Sequence, residues 1–259
     1  MIKALIFDLD ETLILDAPVS EQAFFAAAQD AALHYPVQPQ PVAEAAKEAA
    51  MEIWREGPFF EYCGRIGHSA FEGLWASYSQ PTPEIQGLAQ YVTSYRQAVW
   101  RKALGRFGVR EFHHLHRMVE AWIRARKKYP FYPEVFSLLE ALHPKYSLGM
   151  VTNGVPDLQR QKIGGANLGM WFKEIAVSGE LGVGKPDPKI FQWICQRLAV
   201  KPAECVMVGD NPERDVAGAI AAGMRSVLVN RGYKKPNPRF PADLEVKDLN
   251  QILPWLLKQ

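Results

Sequence analysis

Short apolar runs at the two ends of the chain are separated by a long stretch with helical periodicity. The first run covers residues 2–7 and leads into Asp8. Further apolar runs of strand length occupy residues 146–151, 174–177, 205–208 and 225–229. Runs of this kind are typical of strands buried on both faces of a parallel sheet. Helix-forming stretches lie between the later runs, and this alternation predicts parallel βαβ units with right-handed crossovers.

The stretch from residue 20 to residue 128 contains no convincing strand pattern and is punctuated by proline and glycine. Its clearest helix is predicted to begin at Thr82-Pro83, a capping residue followed by proline, and to end before Gly108. The residues predicted to share one face of this helix are Ile85, Leu88, Val92, Tyr95, Val99 and Ala103. We therefore expect an all-helical subdomain here.

Together these patterns predict an α/β fold, a doubly wound and mostly parallel sheet split by a helical insertion after its first strand. We expect residues 1–15 and 130–259 to form the α/β core and residues 16–129 to form the helical insert. Two helix boundaries in the core carry local signals. Asp187-Pro188 supplies a cap and a first-turn proline, and Gly223 stands where a helix from about Arg214 should end.

Composition narrows the class of partner. The chain has 259 residues, of which 48% are hydrophobic and 22% charged, and a formal net charge of +2. This charge is too small to indicate a nucleic-acid or membrane surface, so we expect a small-molecule partner. Cys63, Cys195 and Cys205 are widely spaced, which suits reduced thiols in the cytoplasm. With no transmembrane-length apolar run and no signal-peptide pattern, we expect a soluble cytoplasmic protein of undetermined oligomeric state.

Two acidic residues stand where the first predicted strand ends. Asp8 and Asp10 are two positions apart, so in an extended segment their side chains point to the same side. Like charges this close are costly to bury unless a cation neutralises them or one of them holds a proton. The alternative interpretation is a turn that closes the strand with two solvated carboxylates.

Three further polar motifs follow predicted strands of the core: Thr152-Asn153, Lys185-Pro186 and Gly209-Asp210 with Asp215 five residues later. In a parallel sheet all of these motifs, together with Asp8-x-Asp10-x-Thr12, lie at the carboxyl edge, where open α/β sheets bind ligands. Hydroxyl and backbone N–H groups and the Lys185 ammonium suit an anionic phosphate. Carboxylates of Asp8 and Asp210 suit Mg²⁺. Each motif alone would more simply be a turn, a loop or a helix cap.

In the order and type of these four motifs the chain resembles the haloacid dehalogenase superfamily of hydrolases. The resemblance covers the whole predicted core. It implies that Asp8 is the nucleophile, which forms an aspartyl-phosphate intermediate. It implies that Asp10 is the general acid and base, a residue typical of the phosphatase and phosphomutase branches and different in dehalogenases. Glu11 stands where many members have glycine.

The resemblance also implies the remaining roles. Thr152, Asn153 and Lys185 are expected to bind the phosphate of the substrate. Asp210 is expected to bind Mg²⁺ together with Asp8 and the backbone carbonyl of Asp10. The supporting residues are expected to be Thr12 and Asp215, the latter orienting Lys185 or a metal-bound water.

We therefore expect a Mg²⁺-dependent phosphatase that acts on a small phosphate ester such as a sugar phosphate, phosphoglycolate or a nucleoside monophosphate. Charge neutralisation by the cation and Lys185 would assist in-line attack, and Asp10 must carry a proton when the ester oxygen leaves. A phosphomutase of the same superfamily is the alternative enzyme. A catalytically silent binding protein with the same fold is a third possibility, although such a protein has no reason to retain Asp8, Asp10, Lys185 and Asp210.

Relatives use a helical insert of this kind as a cap that covers the site and chooses the substrate. Four glycines between residues 57 and 73 predict a loop that carries Arg65 and His68, which are the candidate specificity residues. An ordinary surface arginine is the competing interpretation of Arg65. Residues 234–239 are interpreted as a solvated proline-rich loop with no role in the chemistry.

Overall fold

The computed structural model of the protein describes residues 1–80 and 82–259. The chain divides into two compact units, which we name the α/β unit and the helical unit. The α/β unit comprises Met1–Asp16 and Tyr129–Gln259, and the helical unit comprises Ala17–Lys128. Each predicted boundary lies one residue from the observed division.

The strands are β1 (Ala4–Phe7), β2 (Ser147–Thr152), β3 (Glu174–Val177), β4 (Cys205–Gly209), β5 (Arg225–Val229) and β6 (Leu244–Val246). They form one sheet in the order β3-β2-β1-β4-β5-β6, and every neighbouring pair in that order is parallel. The order places β1 in the middle of the sheet, between β2 and β4. The predicted α/β fold with a parallel sheet is therefore confirmed.

The α-helices are α1 (Ala17–Ala32), α2 (Pro39–Glu56), α3 (Phe60–Ile66), α4 (Ala70–Gly73), α5 (Pro83–Gly105), α6 (Leu115–Arg126), α7 (Val135–Leu142), α8 (Pro156–Gly165), α9 (Ser178–Leu181), α10 (Pro188–Arg197), α11 (Ala217–Ala222) and α12 (Ile252–Leu256). A π-helical turn, Pro212–Val216, precedes α11. Among the helices of the described residues, none has the combination of length and apolar character that crossing a membrane requires.

Strand β1 is apolar throughout because both of its faces are covered. Leu5 and Phe7 are fully buried in a core that includes residues of α7 and α12, whereas Ala4 and Ile6 are fully buried in a second core that includes residues of α10 and α11. Successive side chains of a strand point to opposite faces, so four consecutive apolar residues supply both cores. A strand buried in this way can end in polar residues only at the edge of the sheet, which is where Asp8 follows.

The predicted helix boundaries of the core are observed. Asp187 caps α10 by accepting a hydrogen bond from the backbone N–H of Lys189, and proline opens the helix. Gly223 ends α11 with φ of +74°, a conformation that favours glycine because it has no Cβ.

Strand β6 is a strand that the hydrophobic pattern did not predict. It has three residues at the edge of the sheet, and only Val246 among them is buried. A strand this short offers no period to detect, and pairing with β5 stabilises it. The first strand is also shorter than predicted and begins at Ala4.

The described residues of the helical unit contain no strand, as predicted for the insert. Helix α6 packs on α1, and α5 packs on α2. Thr82 caps α5 through its side-chain oxygen, which accepts from the backbone N–H of Ile85 at 3.4 Å. All six residues of the predicted apolar face of α5 are buried: Ile85, Leu88, Val92, Tyr95, Val99 and Ala103.

The predicted loop is wrong for Arg65 and correct for His68, which lies in the short segment between α3 and α4. Arg65 lies on α3 and is exposed, with its guanidinium over the ring of Tyr62 at 5.4 Å. His68 is buried after α3, and its Nε2 lies 2.7 Å from the hydroxyl of Tyr78. Gly64, on the exposed side of α3, does not interrupt the helix, and only Gly67 ends it at φ of +70°. The part that these residues play in choosing a substrate stays a prediction.

Tyr95 joins three helices of the helical unit. Its buried hydroxyl lies 2.8 Å from the carbonyl oxygen of Ala70 and 3.3 Å from that of Ala50. We expect Tyr95→Phe to lower the free energy of unfolding by about 1–3 kcal/mol, because buried carbonyl groups lose their donor. Tyr91→Phe is the matched control, since that half-buried hydroxyl makes one long bond to Ile53 at 3.3 Å. Urea unfolding checks this; equal losses in the two variants would contradict it.

Candidate active site

The carboxyl ends of three central strands position the polar motifs. Asp8 follows β1, Thr152 ends β2, and Asp210 follows β4. The backbone N–H of Asp8 donates to the carbonyl of Val208 at 2.9 Å and continues the pairing of β1 with β4 beyond the strand. As a result, oxygens of Asp8, Asp210 and Asp215 lie within 4.8 Å of one another, and all three residues are buried.

Lys185 connects two of these carboxylates. Its buried Nζ lies 2.5 Å from Oδ1 of Asp8 and 2.7 Å from Oδ1 of Asp215. Burial by itself lowers the pKa of the Lys185 ammonium, but the charges and hydrogen bonds of Asp215 and Asp8 outweigh it, and the pKa is raised. Lys185 therefore remains a cation beside Asp8.

Asp215 is held by donors on both oxygens. In addition to Lys185, the backbone N–H of Asn211 donates to Oδ2 at 2.9 Å. Burial raises the pKa of Asp215, with a further contribution from Asp8, while Lys185 opposes the shift. A Cβ at Gly209 would come within 2.2 Å of Oδ2 of Asp215, so only glycine allows this close approach. Asp215 contacts Lys185, the partner that the resemblance implies.

The pKa of Asp210 is raised strongly. Burial raises its pKa from 3.8 to about 7, and the charges of Asp8 and Asp215 add to the effect. The three acids are in contact with two lysines, Lys185 and Lys234, so this cluster has one more negative than positive charge when all of its groups are ionised.

Lys234 supplies one of these two positive charges, and the prediction that residues 234–239 have no role at the site is wrong in this respect. Its Nζ lies 2.5 Å from Oδ2 of Asp210, and its side chain is 40% exposed. The ion pair opposes the rise in the pKa of Asp210. Local sequence could not reveal this contact, because it joins a loop after β5 to the end of β4.

Asn153 contacts Lys185 through its side chain, which was expected to bind the substrate. Its amide Nδ2 donates to the carbonyl oxygen of Lys185 at 2.9 Å, and its Oδ1 accepts from the backbone N–H of Lys185 at 2.8 Å. Both ends of the amide are thus engaged, and this side chain positions Lys185. A direct contact of Asn153 with the substrate stays a prediction.

The two threonines of the motifs are buried at the same edge. Thr152 is 1% exposed at the last position of β2, and Thr12 is fully buried. The hydroxyl of Thr12 has no hydrogen-bond partner among the described residues, while its carbonyl oxygen accepts from the guanidinium of Arg231 at 3.3 Å. Phosphate contact by Thr152 stays a prediction.

Glu11 adopts φ of +60°, the left-handed conformation that explains why glycine is common at this position in the family that the chain resembles. Its carboxylate accepts hydrogen bonds from the backbone N–H of Asp16 at 2.8 Å and from the hydroxyl of Tyr132 at 3.1 Å. Burial and the charge of Glu11 raise the pKa of Tyr132, which keeps its hydroxyl protonated. These bonds compensate for the backbone strain at Glu11.

The carboxylate of Asp10 is held by a lysine that sequence reasoning missed. Nζ of Lys162 lies 3.0 Å from each oxygen of Asp10 and 3.2 Å from Oδ1 of Asp16. Gln159, one turn earlier on α8, lies 3.5 Å from Oδ2 of Asp10. Gln159 and Lys162 are spaced i, i+3 on the helix that follows Thr152-Asn153, so their side chains share one face. This polar pair was the signal in the sequence that could have indicated their contact with the site.

The donor set fits a hard divalent cation. Mg²⁺ binds through one or two carboxylates, waters and phosphate oxygens, and the buried pair Asp8 and Asp210 supplies the carboxylates. Burial is the main cause of the raised pKa of Asp210, and the charges of Asp8 and Asp215 that add to it are charges that a cation would neutralise. The side chain of Asp10 contacts Lys162, so its proposed contribution to the metal remains the backbone carbonyl.

Comparison with known proteins identifies the family of the chain. The family model for haloacid dehalogenase-like hydrolases matches residues 2–223. The phosphoserine phosphatase of Thermus thermophilus is 41% identical over 251 residues, which cover 96% of this chain and 97% of that protein. The glyceraldehyde 3-phosphate phosphatase of Methanopyrus kandleri is 30% identical over 251 residues, or 94% of this chain and 91% of that protein.

Solved structures show the same fold. The HAD-hydrolase YfnB of Bacillus subtilis, crystallised with magnesium, superposes with a TM-score of 0.68 at 19% identity, covering 98% of each chain. The 2-haloacid dehalogenase of Pseudomonas syringae pv. tomato gives a TM-score of 0.62 at 28% identity, covering 100% of this chain and 99% of that one. The chain belongs to the haloacid dehalogenase-like hydrolases, and within that family it is a phosphatase, a phosphoric monoester hydrolase.

Proposed function

We propose that this enzyme is a Mg²⁺-dependent phosphatase of small phosphorylated metabolites, in which Asp8 accepts the phosphoryl group and Asp10 transfers the proton. The observation that carries the proposal is the buried arrangement of Lys185 with Asp8 and Asp215, with Asp210 within 4.8 Å of the acids. A nucleophilic carboxylate, a fixed cation and a second carboxylate for a metal are the groups that phosphoryl transfer requires.

The proposed first step transfers the phosphoryl group to an oxygen of Asp8. The new bond joins that oxygen to phosphorus, the bond from phosphorus to the ester oxygen breaks, and Asp10 donates a proton to the leaving oxygen. Lys185, which contacts Oδ1 of Asp8, would neutralise charge on the transferred group. Mg²⁺, held by Asp8, Asp210 and the carbonyl of Asp10, would supply further charge neutralisation.

The proposed second step returns the phosphoryl group to water. Asp10, now ionised, takes a proton from the water that attacks phosphorus, and the bond to Asp8 breaks. The products are the alcohol and inorganic phosphate, and Asp8 is regenerated. The side chain of Asp10 is 26% exposed, which is compatible with access of water to this carboxylate.

We propose phosphoserine as the first substrate to test, because the relative that is 41% identical over nearly the whole chain is a phosphoserine phosphatase. The relative at 30% identity acts on another three-carbon phosphate monoester, glyceraldehyde 3-phosphate. The substrates in both of these names are compact, polar alkyl phosphates. The cytoplasmic location also stays a proposal, supported by three buried free thiols at Cys63, Cys195 and Cys205.

A phosphate-release assay tests the proposal. The panel should contain phosphoserine, glyceraldehyde 3-phosphate, phosphoglycolate, a hexose phosphate and a nucleoside monophosphate. We expect one inorganic phosphate per alcohol formed, loss of release with EDTA, and recovery with Mg²⁺. Asp8→Asn should lower kcat by at least about 10³-fold, because the nucleophile is removed. An isomerised phosphate in place of inorganic phosphate would indicate a mutase, and release that is independent of Asp8 would contradict the mechanism.

Removal of the second carboxylate gives a separate prediction. Asp10→Asn should lower kcat by about 10²–10⁴-fold, because an amide can neither donate the proton to the leaving oxygen nor accept one from water. Steady-state kinetics on the best ester of the panel measure the change. Wild-type turnover in this variant would exclude Asp10 as the acid and base.

The raised pKa of Asp210 predicts how stability depends on pH. Between pH 3.8 and about 7 the folded protein keeps a proton that the unfolded chain releases, so the free energy of unfolding falls as pH rises through this window. In EDTA, Asp210→Asn should therefore melt at nearly the same temperature as the wild type near pH 4. At pH 8 it should melt higher by several degrees, at roughly 2–4 °C per kcal/mol.

Melting curves from pH 4 to 8.5 measure the difference, with Glu140→Gln, an exposed acid on α7, as the control. Mg²⁺ should then stabilise the wild type at pH 8 and leave Asp210→Asn unchanged, because the metal loses a ligand. A difference in melting temperature that does not vary with pH would contradict the assignment of the shift to Asp210.

A further inference from the structure

Lys162 is the most deeply buried charged side chain outside the acid cluster, and no step of the proposed mechanism uses it. The residue is fully buried on α8. Its ammonium makes the two 3.0 Å contacts to Asp10 and the 3.2 Å contact to Asp16 described above. Lysine is almost never fully buried unless it is paired, because the desolvation of its charge is costly. The pairing with two acids accounts for its burial here.

The geometry fixes the orientation of the Asp10 carboxylate. An ammonium at the same distance from both oxygens lies between them and restricts rotation of the carboxylate plane. The side chain of Asp10 is 26% exposed while that of Lys162 has no exposure. Asp10 is thus contacted by a fully buried cation while part of its own side chain remains accessible to solvent.

Gln159 extends this anchor to the phosphate-binding side of the site. Its Nε2 donates to the carbonyl oxygen of Asn153 at 2.6 Å and lies 3.5 Å from Asp10. The amide of Asn153 in turn holds the backbone of Lys185. A continuous set of contacts therefore relates the carboxylate of Asp10 to the ammonium that pairs with Asp8.

We propose that Lys162, supported by Gln159, is a positioning residue that aims the carboxyl group of Asp10 at the ester oxygen and at the attacking water. The proposal rests on the phosphatase function proposed above and adds a residue to it. The orientation of a general acid and base accounts for a large part of its contribution to the rate, since a displacement of about 1 Å can lower the rate on the order of 10²-fold.

The dependence of rate on the leaving group tests this role. An alkyl phosphate such as phosphoserine needs a proton on its leaving oxygen, whereas p-nitrophenyl phosphate releases a stable phenolate without one. We expect Lys162→Met to lower kcat/KM for the alkyl ester by about 10–10²-fold and to change kcat/KM for the aryl ester by less than about threefold.

The second step gives an independent readout with the aryl ester. Because Asp10 must also accept a proton from water, Lys162→Met should lower kcat for p-nitrophenyl phosphate even though kcat/KM is retained. A burst of p-nitrophenol, equal in amount to the enzyme, should then precede the steady state. A structural defect alone would lower the rates for both esters in parallel and would produce no burst.

Further variants control for folding and for coupling. Lys162→Met removes the cation that contacts Asp10 and Asp16, so the double variant Lys162→Met, Asp16→Asn removes one negative charge as well. Gln159→Leu leaves the contact of Lys162 with Asp10 in place. Each variant should show the same selective loss for the alkyl ester. In the Asp10→Asn background, Lys162→Met should cause no further loss. Lys189→Met, an exposed lysine on α10, is the matched control and should retain wild-type kinetics.

The outcomes separate the two proposals. If the wild type hydrolyses the alkyl ester but the folded Lys162 and Gln159 variants lose activity equally on both esters, or lose none, the positioning role is overturned and the phosphatase function stands. If the wild type hydrolyses no phosphate ester, the proposed function fails, and the positioning role fails with it. Selective loss together with the burst supports both.

Discussion

The burial of several like charges at one edge of the sheet is the constraint on which the rest of the structure depends. Asp8, Asp210 and Asp215 bring their oxygens within 4.8 Å of one another in a region screened from water. Such a cluster is tolerated only when cations lie in contact with it or one of the acids holds a proton. Lys185 fulfils this requirement for Asp8 and Asp215, and Lys234 does so in part for Asp210. The remaining excess of negative charge is what makes the site suitable for a divalent metal.

The scaffold around this cluster holds the cations as firmly as the acids. Asn153 uses its whole amide to fix the backbone of Lys185, and Gly209 leaves the space that Asp215 needs. Lys162 holds Asp10 in the same manner from α8. These contacts originate from the ends of adjacent parallel strands and the helices that follow them. A small shift of a strand would therefore displace the charged side chains. A central, fully buried β1 gives the rigidity that this arrangement requires.

Much of the fold could be predicted because its signals are local. The apolar run of β1, the proline and capping residues of α5 and α10, and the glycine that ends α11 all act within a few residues. Three of the polar motifs of the candidate site were also recognisable, since they lie at the ends of strands β1, β2 and β4. The loop prediction failed for Arg65 because four glycines were treated alike, whereas Gly64 lies on an exposed helical face where a glycine costs little.

By itself the sequence determined the α/β class, the helical insertion and the identity of the acidic residues of the candidate site, because the hydrophobic period and the residue types are properties of the linear sequence. Only the tertiary structure decided which cation meets which acid. Lys162 and Asp10 are 152 positions apart, and Lys185 and Asp8 are 177 apart, so nothing in their neighbours along the chain specifies the pair. Other contacts were also decided only by the tertiary structure. They are the pairing of β6, the contact of Lys234 with Asp210 and the hydrogen bonds by which Asn153 positions Lys185. Electrostatic contacts depend on distance in space, and distance in space exists only after the chain has folded.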